Sequence, residues 1–397
     1  MEPEDHATPR SDEDATSQLP ALKVLMNLGW KYLTPEEALA LRGGRTSEVL
    51  LHGVLEDWLR ANNRIEYRGE SVPFTEANIA SAISNLCDEQ DDGLVRTNEK
   101  IYDQLLLGKS LKQLVVGDSK SFQLKYIDWD NPANNAYHVT EEYPVDRSGS
   151  QATYRPDIVL FVNGIPLVVI EAKSPLKRTA TGDEAHEQIR QYERDIPRLF
   201  YPNAFNILTD GMHTEYGATG APAQFYGPWP DAWPRSVPDF PDALAKDLWC
   251  LCEPSRLLDL LAHFIVFEVD PERGNKIKKI CRYQQFRAVN KAVERVAAGE
   301  HRKGLIWHTQ GSGKSLTMVF LALKLKTHLT LDAPTLANPN ILVLTDRIDL
   351  DHQISKTFDA CGLPNPVQCG SVAVLREAVN RGGNGQILLS TIFKFAG

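Results

Sequence analysis

Tyr154 to Lys173 reads Tyr-Arg-Pro-Asp-Ile-Val-Leu-Phe-Val-Asn-Gly-Ile-Pro-Leu-Val-Val-Ile-Glu-Ala-Lys. Two apolar runs, Ile158 to Val162 and Leu167 to Ile170, flank Asn163-Gly164. Asn-Gly between β-rich runs is a strong short-range hairpin signal. Both runs are apolar at every position, so these strands belong in the middle of a sheet covered on both faces. Charge is costly in such a place unless it is compensated. Yet Asp157 opens the first strand, and Glu171 and Lys173 close the second. Strand parity puts Glu171 and Lys173 on one face. A two-residue loop at Asn163-Gly164 pairs Asp157 with Ile170. A three-residue loop that includes Ile165, with its bulge, pairs Asp157 with Glu171. The second register is expected, because it converges two carboxylates and an ammonium at one end of a buried hairpin.

Adjacent carboxylates raise each other's pKa unless a cation sits between them. Hard oxygen ligands in small number suit Mg²⁺, which keeps several waters. Such an ion lowers the pKa of bound water and polarises a phosphoryl oxygen. Asp157 and Glu171 are therefore candidate Mg²⁺ ligands, and Lys173 a candidate for positioning the attacking water. The plain alternative is a buried acid–lysine ion pair, which seldom improves stability over apolar residues.

Pro156-Asp157, thirteen intervening residues and Glu171-Ala172-Lys173 resemble the PD-(D/E)xK nuclease signature. The whole run Arg155 to Lys173 resembles the nuclease block of the restriction (R) subunit of type I restriction endonucleases. Many members of that family carry Leu where Ala172 stands. Asp128-Trp129-Asp130-Asn131-Pro132 and Asn134-Asn135, between two β-like runs, resemble the Asn-rich turn that precedes the block in the same family. Downstream, Gln188 and Tyr192 lie four apart on a helix expected from about Asp183 to Leu199, and so share a face. They match the QxxxY element that follows the catalytic lysine in this family, where it holds the active site and the DNA.

Composition reads as that of a globular cytoplasmic protein. Of 397 residues, 42% are hydrophobic and 24% charged, which are globular values. No apolar run reaches membrane-span length, the acidic N-terminus lacks a signal peptide, and six scattered cysteines read as reduced thiols. Cys250 and Cys252 have no second close pair for zinc. The net charge of −9 speaks weakly against nucleic acid. Locally, Arg273 to Lys303 carries ten Lys/Arg against two Glu, a solvated helix face or a phosphate-contacting surface.

Residues 1–20 hold six acids and little to bury, and read as a disordered tail. Thr34-Pro35-Glu36-Glu37 has the form of a capped helix start. Ser47 and Glu48 precede a helical apolar stripe through Val54, Leu55, Trp58 and Leu59. Glu48 is then a first-turn acid that complements the helix dipole, or a third Mg²⁺ ligand. Residues 218 to 241 are Pro-rich without periodicity, a long surface loop.

The second site begins at Gly304-Leu305-Ile306-Trp307-His308, expected as a short strand. Thr309-Gln310-Gly311-Ser312-Gly313-Lys314-Ser315 and an apolar helix follow. This is the context of a phosphate-binding loop for ATP. Glycines turn backbone N–H groups inward and the helix N-terminus adds positive potential. Lys314 reaches the terminal phosphates and Ser315 reaches Mg²⁺. The strict pattern wants Gly where His308 stands. Arg282-Tyr283-Gln284-Gln285 resembles the helicase Q motif, with Gln285, or alternatively Gln284, reading adenine. Thr345-Asp346-Arg347 through Gln353 resembles motif Ia of superfamily 2 translocases, and Ser390 to Phe395 resembles the next segment of that family.

The resemblance covers about 22 to 397. It implies a PD-(D/E)xK restriction-endonuclease-like mixed sheet with flanking helices at 21–255, followed by a partial RecA-like P-loop parallel-sheet domain at 256–397. It implies a type I site-specific deoxyribonuclease that cuts double-stranded DNA with Mg²⁺, coupled to ATP-driven translocation, beside modification (methyltransferase) and specificity subunits. The acidic motif, arginine finger and second lobe of a complete motor are missing from this sequence. On that reading the chain is an N-terminal portion not expected to hydrolyse ATP usefully. A stand-alone repair nuclease–helicase and an inactive DNA- or ATP-binding remnant are the rival readings.

Overall fold

A computed structural model describes residues 17–150, 152–173, 181–270, 274–327, 338–363, 366–381 and 385–395. Most of the expected acidic tail lies outside them. The chain divides into two compact units, Met1–Ala262 and His263–Gly397.

The first unit is built on one six-stranded mixed sheet. Helix α1 (Gln18–Asn27), strand β1 (Lys31–Leu33), α2 (Pro35–Leu41) and α3 (His52–Asn62) come first. Thr34 caps α2 as its sequence promises: its side chain accepts from Glu37 N at 3.1 Å, and Glu37 accepts from Thr34 N at 2.8 Å. Two ribbons frame the next helices, β2–β3 (Arg64–Tyr67, Glu70–Pro73) before α4 (Glu76–Cys87) and α5 (Leu94–Leu107), and β4–β5 (Lys109–Val115, Asp118–Leu124) after them. Then come β6 (Tyr137–Glu141), the small ribbon β7–β8 (Val145–Asp146, Thr153–Tyr154), β9 (Ile158–Val162) and β10 (Ile165–Ala172). Helices α6 (Thr181–Asp195) and α7 (Pro197–Phe200), strands β11 (Phe205–Thr209) and β12 (Thr214–Ala218), and α8 (Ala243–Cys252) complete the set used below.

The sheet order is β1-β6-β9-β10-β11-β12. β6, β9 and β10 form an antiparallel meander, β1 joins β6 in parallel, β11 joins β10 in parallel, and β12 returns antiparallel. Every residue of β9, β10 and β11 is buried, as unbroken apolar runs require. The helix start expected at Ser47-Glu48 is displaced: α3 begins at His52, and Glu48 lies in the preceding loop.

The β9–β10 turn is a two-residue loop, with Val162 opposite Ile165. Asn163 adopts φ 52° and Gly164 φ 81°, the left-handed conformations that such a hairpin turn needs. The Asn-rich turn upstream clamps it. Asn163 Nδ2 donates to Asn135 Oδ1 at 2.8 Å and to Tyr126 O at 3.0 Å, while its Oδ1 accepts from Ala136 N at 2.7 Å. The turn is fully buried, so these bonds satisfy groups that water cannot reach.

The second unit holds a three-stranded parallel sheet. Ile341–Thr345 and Pro366–Gln368 both flank Ile387–Thr391. A two-stranded ribbon, Ile265–Val269 with Lys276–Ile280, precedes helix Tyr283–Ala298. The strand expected at residues 304–308 is not formed. Those residues are extended but unpaired, with Leu305 and Trp307 each 85% exposed. β-rich composition makes a strand only where a neighbour supplies the ladder.

Candidate active site and nucleotide loop

Asp157 and Glu171 do face one another, by a route different from the one expected. The bulge lies inside β10, not at the turn. Pro166 opposes Phe161, and the next pair is Val168 with Leu160. Pro166 has no N–H for the ladder, and Leu167 becomes the extra residue. Leu167 O turns instead to β11, accepting from Ala204 N at 2.7 Å. Beyond the shift Ile170 pairs with Ile158, so the next step brings Glu171 opposite Asp157. The Asp157 carboxylate accepts from Ala172 N at 2.7 Å, across the strand gap.

Glu171 is fully buried, and its Oε2 has no hydrogen-bond partner. Burial first, and then the charge of Asp157, push its carboxyl up to about 8, while Lys173 pulls the other way. Lys173 Nζ donates to Glu171 Oε1 at 2.5 Å and to Gln188 Oε1 at 2.6 Å. Gln188 Nε2 donates to Tyr192 OH at 2.5 Å, and Tyr192 OH donates to Arg155 O at 3.5 Å. The contacts thus run from the acid through the lysine and one turn of α6 back to the strand that leads into Asp157. Burial, and then the charge of Glu171, raise the Tyr192 hydroxyl above its usual range, so it stays a donor. At its far end α6 is braced: Asp195 accepts from Arg147 at 3.0 Å and from Tyr154 OH at 3.1 Å on the β7–β8 ribbon.

The buried Oε2 without a donor, beside a second carboxylate, suits a hard divalent cation. With Glu171 ionised, an ion pair with Lys173 alone would leave that oxygen unsatisfied. Lys173 also lines a cavity of about 230 Å³ with Leu208, Thr209, Asp210 and His213. The lysine backbone is pinned there by its N–H to Thr209 O at 2.8 Å.

Glu48 does not join this pair. Its carboxylate lies 3.2 Å from His52 Nε2 and 3.6 Å from Arg45, in a group with His52 and Cys87. Among the described residues no cluster of three potential ligands includes Asp157 or Glu171. The loop carrying Glu48 is held elsewhere, by Arg42 on Glu48 O and by Leu51 N on Gly164 O. The signal for the bulge was Pro166. It was missed because the hairpin turn offered a simpler place for the extra residue.

In the second unit, Gly311 and Gly313 take φ 79° and 82° before helix Lys314–Thr327, backbone that only glycine adopts freely. Lys314 Nζ donates to His308 O at 3.2 Å and Thr309 O at 2.8 Å. Gln285 ties the loop to helix Tyr283–Ala298, donating to Gly313 O at 3.0 Å and accepting from Arg282 N at 2.8 Å. Gln284 Oε1 is buried without a partner. Ser312 closes the turn by donating to Thr309 O at 2.7 Å, and Ser315 is the second residue of the helix.

Comparison with known sequences defines the class first. The family model for "Type I restriction enzyme R protein N terminus" matches residues 10–225, and that for "SWI2/SNF2 ATPase" matches residues 284–397. The first match takes in more than half of the chain, which belongs to the type I restriction enzyme R protein family. The type I restriction enzyme HindI endonuclease subunit of Haemophilus influenzae is 32% identical over 97% of this chain and 36% of its own length. The putative MjaIXP endonuclease subunit of Methanocaldococcus jannaschii is 29% identical over 97% of this chain and 37% of its own length. A Staphylococcus aureus subunit, SauCOLORF180P, is 25% identical over 61% of this chain. The chain therefore spans a little over a third of the first two relatives. It comprises the N-terminal region of such a subunit together with an SNF2-like ATPase part. No described helix is long and apolar enough to cross a membrane.

Proposed function

We propose that the first unit is a PD-(D/E)xK nuclease that hydrolyses phosphodiester bonds of double-stranded DNA. The second unit supplies the ATP-binding face of a RecA-like translocase lobe. In the whole enzyme, modification and specificity subunits would choose where it acts. The observation that carries this reading is Glu171 Oε2, a buried oxygen with no donor, beside Asp157 and two residues from Lys173.

Asp157 and Glu171 would hold Mg²⁺, which when bound lowers the pKa of water and polarises the scissile phosphate. The protein's own part is orientation and charge. Ala172 N–H fixes the Asp157 carboxylate. The Lys173 ammonium, aimed by Gln188 and Tyr192, lies where it can steady an attacking water or offset phosphate charge. The test is nicking of supercoiled plasmid by the purified chain. Cleavage that needs Mg²⁺ and stops with chelator supports the reading, and inertness under every divalent ion contradicts it.

Acidity adds a second expectation. With its carboxyl raised to about 8, Glu171 carries a proton below that pH in the metal-free protein. That proton must leave for Mg²⁺ to bind. The half-saturating Mg²⁺ concentration should rise by about tenfold per pH unit of descent below about 8, as competition with one proton requires. Mg²⁺ titrations of cleavage at about pH 6.5 and about pH 8.5 read this directly. Equal requirements at the two values would contradict a protonated Glu171.

For ATP, the arriving phosphates would replace the two carbonyls on Lys314 Nζ, while Gly311, Ser312 and Gly313 offer backbone N–H groups and Thr309 closes the turn. Ser315 would take the accompanying Mg²⁺, and Gln285 or Gln284 would meet adenine. Lys314→Ala should weaken binding of a fluorescent ATP analogue by roughly 10–100-fold, the value of a charge-assisted hydrogen bond. Unchanged affinity would show that the loop does not hold phosphate.

A further inference from the structure

Glu48, His52 and Cys87 come from three places: the loop before α3, the first residue of α3, and the last residue of α4. One ligand atom from each, a carboxylate oxygen, an imidazole nitrogen and the thiol sulfur, lies within 4.8 Å of the others. All three residues are part-buried, and Cys87 is in no disulfide. We propose that this triad is a second cation site, separate from the acid pair of the nuclease, and that it takes a borderline-soft divalent ion of the zinc class.

The donor set decides the class of ion. Sulfur and imidazole nitrogen suit zinc and its neighbours, whereas Mg²⁺ wants oxygen alone. Tetrahedral bonds of about 2.0–2.3 Å to oxygen, nitrogen and sulfur set ligand atoms about 3.3–3.7 Å apart. The His52–Glu48 pair already stands at 3.2 Å, and the thiol lies within 4.8 Å of both, so only a small adjustment completes the site. Three protein ligands leave a fourth position for water, as in open zinc sites. Charge balances as well: a carboxylate and a thiolate neutralise a doubly charged ion.

The metal-free geometry fits the exchange. His52 Nε2 and Glu48 Oε2 stand 3.2 Å apart, close to the spacing of two ligands on one ion. On binding, the ring nitrogen that faces the ion must carry no proton, and the thiol proton leaves to solvent. Burial, followed by the charge of Glu48, pushes the Cys87 thiol up to about 12, so the thiol is not a free nucleophile. Arg45 is the competing partner of Glu48, on Oε1 at 3.6 Å, and its side chain is 63% exposed and free to swing away. An ion here would fasten the Glu48 loop to α3 and α4, beside the point where Leu51 N–H donates to Gly164 O of the nuclease hairpin.

Co²⁺ is the probe, added to the metal-free full chain and followed by absorption. A thiolate-to-cobalt charge-transfer band at one equivalent is expected, together with a rise in melting temperature on adding Zn²⁺. Cys87→Ser should abolish the band, and His52→Gln should weaken Co²⁺ binding by more than the ~10–100-fold typical of losing an outer-shell partner. Cys361→Ser, at another part-buried thiol, and Asp157→Asn should leave the band intact. A wild-type chain with no thiolate band overturns the proposal, and so does a band that survives Cys87→Ser. Circular dichroism of each variant keeps loss of fold apart from loss of ligand.

Discussion

Lys173→Ala is expected to lower plasmid nicking by about 10²–10⁴-fold, the range for losing a positioned proton-transfer or charge-stabilising group. The fold should survive. The Lys173 side chain is 23% exposed, it lines a cavity, and its backbone bond to Thr209 O does not depend on the side chain. Two things change at once. The ammonium 2.5 Å from Glu171 Oε1 disappears, and Gln188 loses the donor on its Oε1. Glu171 is then a fully buried acid whose nearest opposing charge is gone, so its carboxyl should hold its proton to higher pH still. Excess Mg²⁺ at alkaline pH should therefore recover metal binding without recovering cleavage. That separation distinguishes a lysine that acts on the reaction from one that only balances charge. A variant that cuts normally once Mg²⁺ is saturating would remove Lys173 from the chemistry.

Gly164→Val should cost more than about 4 kcal/mol of stability, the level reserved for a clash that cannot relax. A Cβ at Gly164 would sit 2.5 Å from Leu51 O and 3.1 Å from Leu55 N, both backbone atoms, at φ +81°. Neither neighbour can give way without lifting the start of α3 from the hairpin, and a β-branched residue is poorly suited to left-handed backbone. Denaturant unfolding of the wild type and the variant measures the difference, and a loss below about 1 kcal/mol would show the turn to be adaptable.

These two positions also show how far the sequence carried. Asn163-Gly164 announced its turn because few dipeptides accept two positive φ values. The unbroken apolar runs announced a covered sheet, and acids at the end of such runs announced a site. Gln188 and Tyr192 were legible because helical spacing alone puts them on one face. The bulge was not, since a proline inside a strand says that a bond is missing without saying which residue becomes the extra one. Glu48 looked like a helix-start acid, but α3 begins four residues later, at His52. Residues 304–308 carry strand-like composition without a neighbouring edge among the described residues. Pairing depends on what lies beside a segment, and composition does not report that. Asn135 and Asn163 read as two separate turn formers. Only the fold shows them bonded to each other, twenty-eight residues apart in sequence.

The brace on α6 has a mechanical meaning. The lysine stands on a strand, but its tilt is governed by a helix, and that helix is latched through Asp195 to a small ribbon outside the main sheet. A tug on Arg147 or Tyr154 would pass from Asp195 to Gln188, about two turns of helix, and arrive as a change of aim at the ammonium. In the proposed nuclease, the aim of the lysine could then be kept slack or drawn taut by whatever grips the ribbon, with nothing touching the acid pair.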